Sequence, residues 1–266
     1  MRLLLILSFL FGSLSIAHAD THNNSVVNEI VDRGALRVGF SSFVPWAMRS
    51  KDGEFIGFEI DVAKEVAKDM GVELELIPTA WDGIIPALLA NKFDIIISGM
   101  YVTPARNLQV NFSIPYDENG LDIVANRTLA AGFDNIDAFN NSEITFALRR
   151  GSYPVSYTKE RLPEANIVQF DDDATARLEV INGRAHAWIT AAPQPQFAVI
   201  DYPDVLFRPV DHLLTINKQG MALRKGDADA LNFFDNWIRV KQQSGWLQER
   251  HNYWFGGRDW AAQAAQ

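Results

Sequence analysis

The sequence contains no cysteine, which excludes disulfides, thiolate nucleophiles and sulfur ligands for a metal. Histidine is scarce as well, with five in 266 residues, and no two of them show the spacing of a zinc site. The stability of the fold must therefore come from burial of apolar side chains. A content of 48% hydrophobic residues is sufficient for that, and the length suits two lobes. We expect no metal and no other cofactor.

Long apolar runs are absent except at the N-terminus. Arg2 precedes an apolar stretch over residues 3–16, and Ala17-His18-Ala19 follows as a small-x-small cleavage pattern. The stretch is shorter than the ~20 residues that a transmembrane helix needs. The pattern predicts a secretory signal over residues 1–19, cleaved after Ala19. Without a cysteine for a lipid anchor, the mature chain is expected to be free in the periplasm.

Positive charge is also in deficit. Lys and Arg number 24 against 33 Asp and Glu, so we do not expect a polyanion such as nucleic acid as a partner. The sequence also has no nucleophile elbow, phosphate-binding loop or zinc-protease motif. We therefore predict a protein that is not an enzyme and has no catalytic residues.

What the sequence does contain is an alternation of strands and helices. Residues 35–40, 72–77 and 93–97 read as strands, separated by amphipathic helices over 58–70 and 81–89. A similar series restarts near residue 144. The pattern predicts an α/β fold with open, mostly parallel sheets in two lobes. We place the first lobe at 20–124 and 217–266 and the second at 125–216.

Two apolar extended segments, 121–125 and 220–223, are expected to carry the chain between the lobes as hinge crossovers. A helix over 230–240 presents an apolar face, with Phe234 and Trp237 on it, for docking on a core. The tail after Arg258 is expected to be loose.

The stretch with the clearest chemistry is 98–106, which directly follows a buried strand. Thr103 is a preferred helix N-cap and Pro104 a preferred first helical residue. Arg106 then lies in the first turn, where a cation opposes the helix dipole unless an anion is present. A guanidinium beside free backbone amides can hold a carboxylate. The alternative is a surface arginine that pairs with a nearby acid.

A second loop of this type is Arg150-Gly151-Ser152, which follows a strand of the second lobe. Ser152 is placed either to cap its helix or to help bind an anion there. Aromatic residues also crowd the loops of the first lobe. They serve either as lids on the core or as walls of a ligand site, and they are Phe43, Trp46, Trp81 and Tyr101.

Taken in order, these motifs resemble the polar amino-acid family of bacterial periplasmic solute-binding proteins. The resemblance covers nearly the whole chain after residue 20, and its segments are 57–61, 81–88, 97–106, 112–116, 150–152, 182–184, 223–227 and 254–256. It implies the two-lobed periplasmic-binding-protein fold of type II and a monomer that closes about a hinge. It also implies the membrane permease of an ABC transporter as partner.

The resemblance assigns roles to individual residues. Arg106 and Ser152 stand where the family holds the ligand α-carboxylate, beside Ser98 and the backbone of Gly99, while Phe43 and Trp81 match the walls around the ligand side chain. The set predicted to bind the ligand is Phe43, Trp46, Trp81, Ser98, Gly99, Met100, Tyr101, Arg106, Gly151, Ser152 and Ala191.

The sequence departs from the family where the ligand ammonium is bound. Tyr101 replaces the usual Thr or Ser, and Ala191 replaces the usual aspartate. Loss of the partner of a buried charge costs several kcal/mol. Either the ligand has no primary ammonium, or an alkylated cation lies on aromatic faces, or Asp117 or Glu118 supplies the acid.

We therefore expect a solute-binding protein for a small carboxylate. Two alternatives share the same residues. One is a periplasmic dehydratase for cyclic carboxylates, by analogy of fold. The other is a sensor that presents its closed form to a membrane receptor.

Overall fold

Two five-stranded sheets organise residues 25–265, the part of the chain that the computed structural model describes. The predicted secretory signal over 1–19 lies outside these residues. No helix within the described range is both long enough and apolar enough to cross a bilayer.

The helices are α1 (Val26–Arg33), α2 (Phe58–Met70), α3 (Ile84–Leu89), α4 (Pro104–Asn107), α5 (Tyr153–Arg161), α6 (Asp173–Ile181), α7 (Gln194–Asp201), α8 (Ala228–Gln243) and α9 (Trp246–Phe255). Short 3-10 helices cover Trp81–Gly83, Ile136–Phe139 and Asp259–Ala262. The strands are β1 (Ala35–Phe40), β2 (Met48–Arg49), β3 (Phe55–Ile56), β4 (Glu73–Pro78), β5 (Ile95–Ile96), β6 (Asn111–Phe112), β7 (Asp117–Asn119), β8 (Leu121–Asn126), β9 (Thr145–Arg149), β10 (Asn166–Phe170), β11 (Ala187–Ala191), β12 (Leu206–Phe207), β13 (Asn217–Gln219) and β14 (Ala222–Leu223).

The first lobe is built on the sheet with strand order β4-β1-β5-β14-β6. Strand β1 pairs in parallel with β4 and β5, and Val38 lies opposite Ile95. Helix α2 covers this sheet because its apolar residues, such as Ile60 and Val66, recur on one face and are fully buried. Gly71 ends the helix in the left-handed conformation, with φ 67°.

The second lobe is built on the sheet with strand order β10-β9-β11-β8-β12. Strand β9 pairs in parallel with β10 and β11, and β8 runs antiparallel to β11. Its core includes Phe146 and Trp188, both of which are buried. The structure thus confirms the predicted α/β fold of two lobes with open sheets. The sheets are mixed rather than mostly parallel, because each has two parallel and two antiparallel pairings. The limits of the lobes at 124/125 and 216/217 stay a prediction.

The predicted positions of the crossovers are wrong. Residues 121–125 belong to β8 in the second sheet, and residues 222–223 form β14 in the first sheet. The chain instead passes between the lobes through β7 and β13, which pair with each other in antiparallel fashion. Apolar extended segments are buried, and a buried backbone needs the hydrogen bonds of a sheet. The polar segments beside them, β7 and β13, therefore connect the two lobes.

The tail after Arg258 is not loose within the described residues, contrary to the prediction. Trp260 is buried, and its indole Nε1 donates to the carbonyl oxygen of Trp254 over 2.9 Å. Ala264 forms an isolated β-bridge with Ser50. A large aromatic side chain that finds a core gains more from burial than the tail loses in entropy.

Candidate functional site

A cavity lies between the two lobes, at the carboxyl ends of several strands, where open α/β sheets bind ligands. It has a free volume of about 40 Å³, room for a few water molecules. Its lining consists of Phe43, Trp46, Trp81, Ser98, Gly99, Tyr101, Arg106, Leu121, Arg149, Ser152, Tyr153, Pro154, Asp173, Thr190, Ala191 and Gln219. Both lobes therefore contribute to one small cavity, whose lining combines aromatic and apolar side chains with a few charged and polar groups.

Arg106 forms part of the wall on the side of the first lobe. As predicted, helix α4 begins after Thr103, whose Oγ1 accepts from the backbone N–H of Arg106. The guanidinium Nη1 donates to the carbonyl oxygen of Tyr101 over 2.9 Å. No carboxylate among residues 25–265 pairs with it. Burial lowers the pKa of Arg106 to about 10, and the positive charge of Arg149 adds to this effect.

Arg149 is a second guanidinium in the cavity, and it enters from the end of β9. Its carbon Cζ lies 5.0 Å from the ring centroid of Phe43 and 4.5 Å from that of Trp81. Its Nε is 3.0 Å from Asp173 Oδ2. This contact is an ion pair by distance only, because the two atoms are not aligned for a hydrogen bond. The aromatic rings of the first lobe thus contact a cation that belongs to the second.

Asp173, the first residue of α6, is held by three groups of its own lobe. Its Oδ1 accepts from Trp188 Nε1 over 3.2 Å and from Thr190 Oγ1 over 3.1 Å. Its Oδ2 faces Arg149. Oδ1 is therefore hydrogen-bonded within the protein, whereas Oδ2 is buried beside Arg149 without a hydrogen bond.

The lobes touch directly across the cleft. The indole Nε1 of Trp81, in the first lobe, donates to the carbonyl oxygen of Gly151 in the second over 3.1 Å. The side chain of Gln194 also donates to the backbone carbonyl of Val44. The structure therefore represents a closed arrangement of the two lobes.

Nine of the eleven residues predicted to bind the ligand line the cavity. The two others are Met100, which packs in a core with Ile84 and Phe93, and Gly151, whose carbonyl is bonded to Trp81. Gly99 has φ 60°, and a Cβ atom there would lie 2.8 Å from the Trp46 ring, so the wall requires glycine at this position. The binding roles of all eleven remain predictions.

The two predicted serines make internal hydrogen bonds. Ser98 Oγ accepts from the backbone N–H of Ser41 over 2.9 Å. Ser152 occupies the N-cap position of α5 but makes no capping bond with its side chain. Its hydroxyl donates to the carbonyl oxygen of Arg149 over 2.6 Å. Ser152 therefore positions the end of β9 in this closed arrangement.

The place where relatives are expected to bind an ammonium group contains no acid. The hydroxyl of Tyr101 is buried without a hydrogen-bond partner, and burial raises the pKa of Tyr101 above its ordinary value. Asp117 pairs with His251 over 2.8 Å, and Glu118 pairs with Lys218. Neither acid lines the cavity. Asp117 is nevertheless near Tyr101, because its charge adds to the rise of the Tyr101 pKa, and its Oδ2 is buried without a hydrogen-bond partner.

Several lining residues were not predicted. Arg149 is the last residue of a parallel strand, a position that could have marked it. Asp173 follows the helix N-cap Asp172 and reads from sequence as an ordinary acid of a first turn. The other unpredicted lining residues are Leu121, Tyr153, Pro154, Thr190 and Gln219. Within the described range, no three His, Asp or Glu side chains cluster in a way that could hold a metal ion.

Comparison with known proteins identifies relatives over most of the chain. A family described as bacterial extracellular solute-binding proteins, family 3, matches residues 36–257. The chain is 26% identical to the L-cystine-binding protein TcyJ of Escherichia coli, over 88% of this chain and 87% of TcyJ. It is 24% identical to the cyclohexadienyl dehydratase of Pseudomonas aeruginosa, over 86% of each chain.

Solved structures agree with this assignment. The ancestral amino acid-binding protein AncCDT-1, described as a precursor of cyclohexadienyl dehydratase, is 37% identical with a TM-score of 0.78, over 87% of this chain and 99% of its own. A putative ABC transporter binding component from Wolinella succinogenes, complexed with lysine, is 36% identical with a TM-score of 0.79, over 87% of this chain and all of its own. The predicted family resemblance is confirmed.

Proposed function

The chain belongs to the bacterial extracellular solute-binding proteins of family 3, and we propose that it captures a small carboxylate-bearing solute in the periplasm. In this proposal, the secretory signal over residues 1–19 directs export. The closed, loaded form then delivers the solute to the permease of an ABC importer. Its relatives include an L-cystine-binding protein and arginine-binding proteins, which supports a solute-binding role.

The observation that carries the proposal is the state of Arg106. Its guanidinium lines a cavity between the lobes, makes one hydrogen bond to a backbone carbonyl, and has no acidic partner among the described residues. A desolvated cation without a counter-ion is unfavourable. A ligand carboxylate would supply the missing charge and make charge-assisted hydrogen bonds.

Closure follows from the position of the cavity. A ligand that contacts both lobes binds the closed state more tightly than the open one and shifts the equilibrium towards it. Strands β7 and β13 carry the chain between the lobes, so we expect them to absorb the backbone rotation. The indole of Trp81 donates to Gly151 across the cleft in this closed arrangement, so we expect this hydrogen bond to form when the lobes close.

The test is a calorimetric titration of the protein with a panel of carboxylates and amino acids. We expect Arg106→Ala to weaken binding of the cognate solute at least tenfold. The matched control is Arg150→Ala, because Arg150 is an exposed arginine of the adjacent loop that pairs with Asp171. Normal binding by Arg106→Ala, or an equal loss in both variants, would show that the carboxylate assignment is wrong.

A dehydratase is the second candidate, because a cyclohexadienyl dehydratase is among the relatives and a carboxyl group, Asp173, lines the cavity. A general acid must reach the substrate within hydrogen-bond distance, whereas Asp173 Oδ1 already accepts from Trp188 and Thr190 and its Oδ2 faces Arg149. We therefore propose binding without turnover. Formation of an aromatic product from a cyclohexadienyl carboxylate, followed by ultraviolet absorbance, would favour the enzyme instead. A sensor role would leave binding unchanged and is separated by pull-down of the membrane partner.

A further inference from the structure

The lining of the cavity carries an excess of positive charge. It contains two guanidinium groups, those of Arg106 and Arg149, and one carboxylate, that of Asp173, among the described residues. Asp173 neutralises Arg149 at its Nε, and Arg106 remains uncompensated. A zwitterionic ligand would leave this imbalance in place, whereas one carboxylate would cancel it. A second carboxylate on the same ligand would need the hydrogen-bond donors of Arg149 that the protein does not use.

The terminal nitrogens of Arg149 remain available to donate hydrogen bonds to a ligand in the cavity. The atom of Arg149 that pairs with Asp173 is Nε, and no described residue accepts a hydrogen bond from its terminal nitrogens. Both guanidinium carbons lie near the same ring, with Arg106 at 5.3 Å and Arg149 at 4.5 Å from the centroid of Trp81. They are therefore no farther apart than these two distances added together, about 10 Å. One small molecule can reach both.

Two of the aromatic walls, Phe43 and Trp81, already face a cation of the protein. Arg149 lies against Phe43 and Trp81, and Arg106 also lies near Trp81. A ligand ammonium at these faces would meet guanidinium groups that already occupy them, and like charges at short range repel. This argues against an alkylated cation as well as against a primary ammonium.

We propose that the cleft selects a small dicarboxylate without an ammonium group, with Arg106 holding one carboxylate and the terminal nitrogens of Arg149 holding the other. Arg149 is then the residue that determines specificity. Asp173 positions Arg149 through the ion pair at its Nε. The inference rests on the proposed function and adds to it the chemical class of the solute.

The first experiment ranks ligands on the wild-type protein by calorimetry. Each dicarboxylate is paired with the monocarboxylate of equal carbon number: malonate with propanoate, succinate with butanoate, and glutarate with pentanoate. Aspartate serves as succinate with an added ammonium group. We expect the best dicarboxylate to bind at least tenfold more tightly than its paired monocarboxylate and than aspartate. Equal or tighter binding of either comparison ligand would overturn the inference.

The second experiment uses the double variant Arg149→Gln/Asp173→Asn. This variant removes the second guanidinium together with its counter-ion, so the net charge of the cavity is unchanged. We expect the best dicarboxylate to lose at least tenfold in affinity, while its paired monocarboxylate changes less than threefold. An equal loss for both ligands would mean that the two arginines hold a single carboxylate, which contradicts the inference.

The two proposals fail in different ways. If ordinary amino acids bind most tightly and Arg106→Ala abolishes their binding, the solute-binding function stands and the dicarboxylate inference falls. If no ligand of the panel binds better to the wild type than to Arg106→Ala, the proposed function falls as well. The ranking on the wild type decides the inference even if the double variant is poorly folded.

Discussion

In two places among the described residues, two arginines and one aspartate share a small region, and the two places differ in how the charges are balanced. In the first lobe, Asp94 is fully buried and receives both Arg33 and Arg37, the second through Nε at 3.2 Å and Nη2 at 2.7 Å. In the cleft, Asp173 receives only Arg149, and Arg106 stays without an acid.

The difference separates a structural ion pair from the site that we propose for a ligand. Asp94 also accepts from the backbone N–H of Arg37 over 2.8 Å, and both arginines reach solvent, with side chains 32% and 23% exposed. Its charge is therefore satisfied by the protein and by water. In the cleft, the side chain of Arg149 is only 9% exposed, and the remaining cation faces a cavity. In the proposed function, the carboxylate of the solute completes that balance.

The largest effect is expected for Asp94→Asn, which tests whether the network of Asp94 is structural only. We expect it to lower the free energy of unfolding by about 3 kcal/mol, because a buried network then loses its acid, and to leave ligand binding unchanged. Denaturant unfolding and calorimetry measure the two effects. The control is Asp137→Asn, which breaks an exposed pair with Arg161 and should change stability by less than about 1 kcal/mol. A loss at Asp94 no larger than the control would contradict the structural role.

Glu59 is a buried carboxyl group that has no cationic partner among the described residues, and it provides a third way to bury an acid. Glu59 is fully buried and accepts from Tyr116 Oη over 2.7 Å, and burial raises its pKa from 4.5 to about 8. The folded state therefore binds this proton more tightly than the unfolded state does. The associated stability is complete below pH 4.5 and is lost as pH rises towards 8.

We accordingly expect the wild type to lose roughly 2 kcal/mol more stability between pH 6 and pH 9 than Glu59→Gln does. Unfolding in denaturant at both pH values measures this difference, and the comparison with the variant cancels the titration of all other groups. Parallel pH profiles for the two proteins would mean that Glu59 does not carry a proton in the folded state.

The smallest effect is expected for a substitution that adds a negative charge to the cavity. Ala191→Asp adds an acid to the cavity lining, and we expect at least a tenfold gain in affinity for ordinary amino acids, about 1.4 kcal/mol. A thermal-shift panel detects it. Ala192→Asp places the same charge at the next residue, outside the lining, and should produce no gain. Equal responses of the two variants would count against position 191 as the missing ammonium site.

The first lobe was largely predictable from sequence because its signals are local. The helix start at Thr103 depends on a cap and a proline within two residues, and the amphipathic helix α2 depends on spacings of three and four. Arg106 was found for the same reason, since its position in a first turn is a local property. The family resemblance depended on the order of short motifs along the chain.

The rest of the site depends on contacts between distant residues. Arg149 and Asp173 lie at the end of β9 and the start of α6, and only the sheet brings them together. Gln219 reaches the cavity from the returning connection. The placement of the crossovers and of Trp260 was wrong for a related reason, because an apolar segment does not reveal which buried partner it finds.

By itself, the sequence determined that this chain forms two α/β lobes and carries an arginine after a helix cap, with no acid at the ammonium position. These follow from periodicity, capping and residue identity, which act over a few residues. The tertiary structure alone decided that a second guanidinium, that of Arg149, lies in the cavity. It also decided that Asp173 already contacts Arg149 and other groups of its own lobe. That charge balance depends on side chains of both lobes that meet in a desolvated cavity. A single unpaired charge there costs more free energy than the local helix and capping preferences provide.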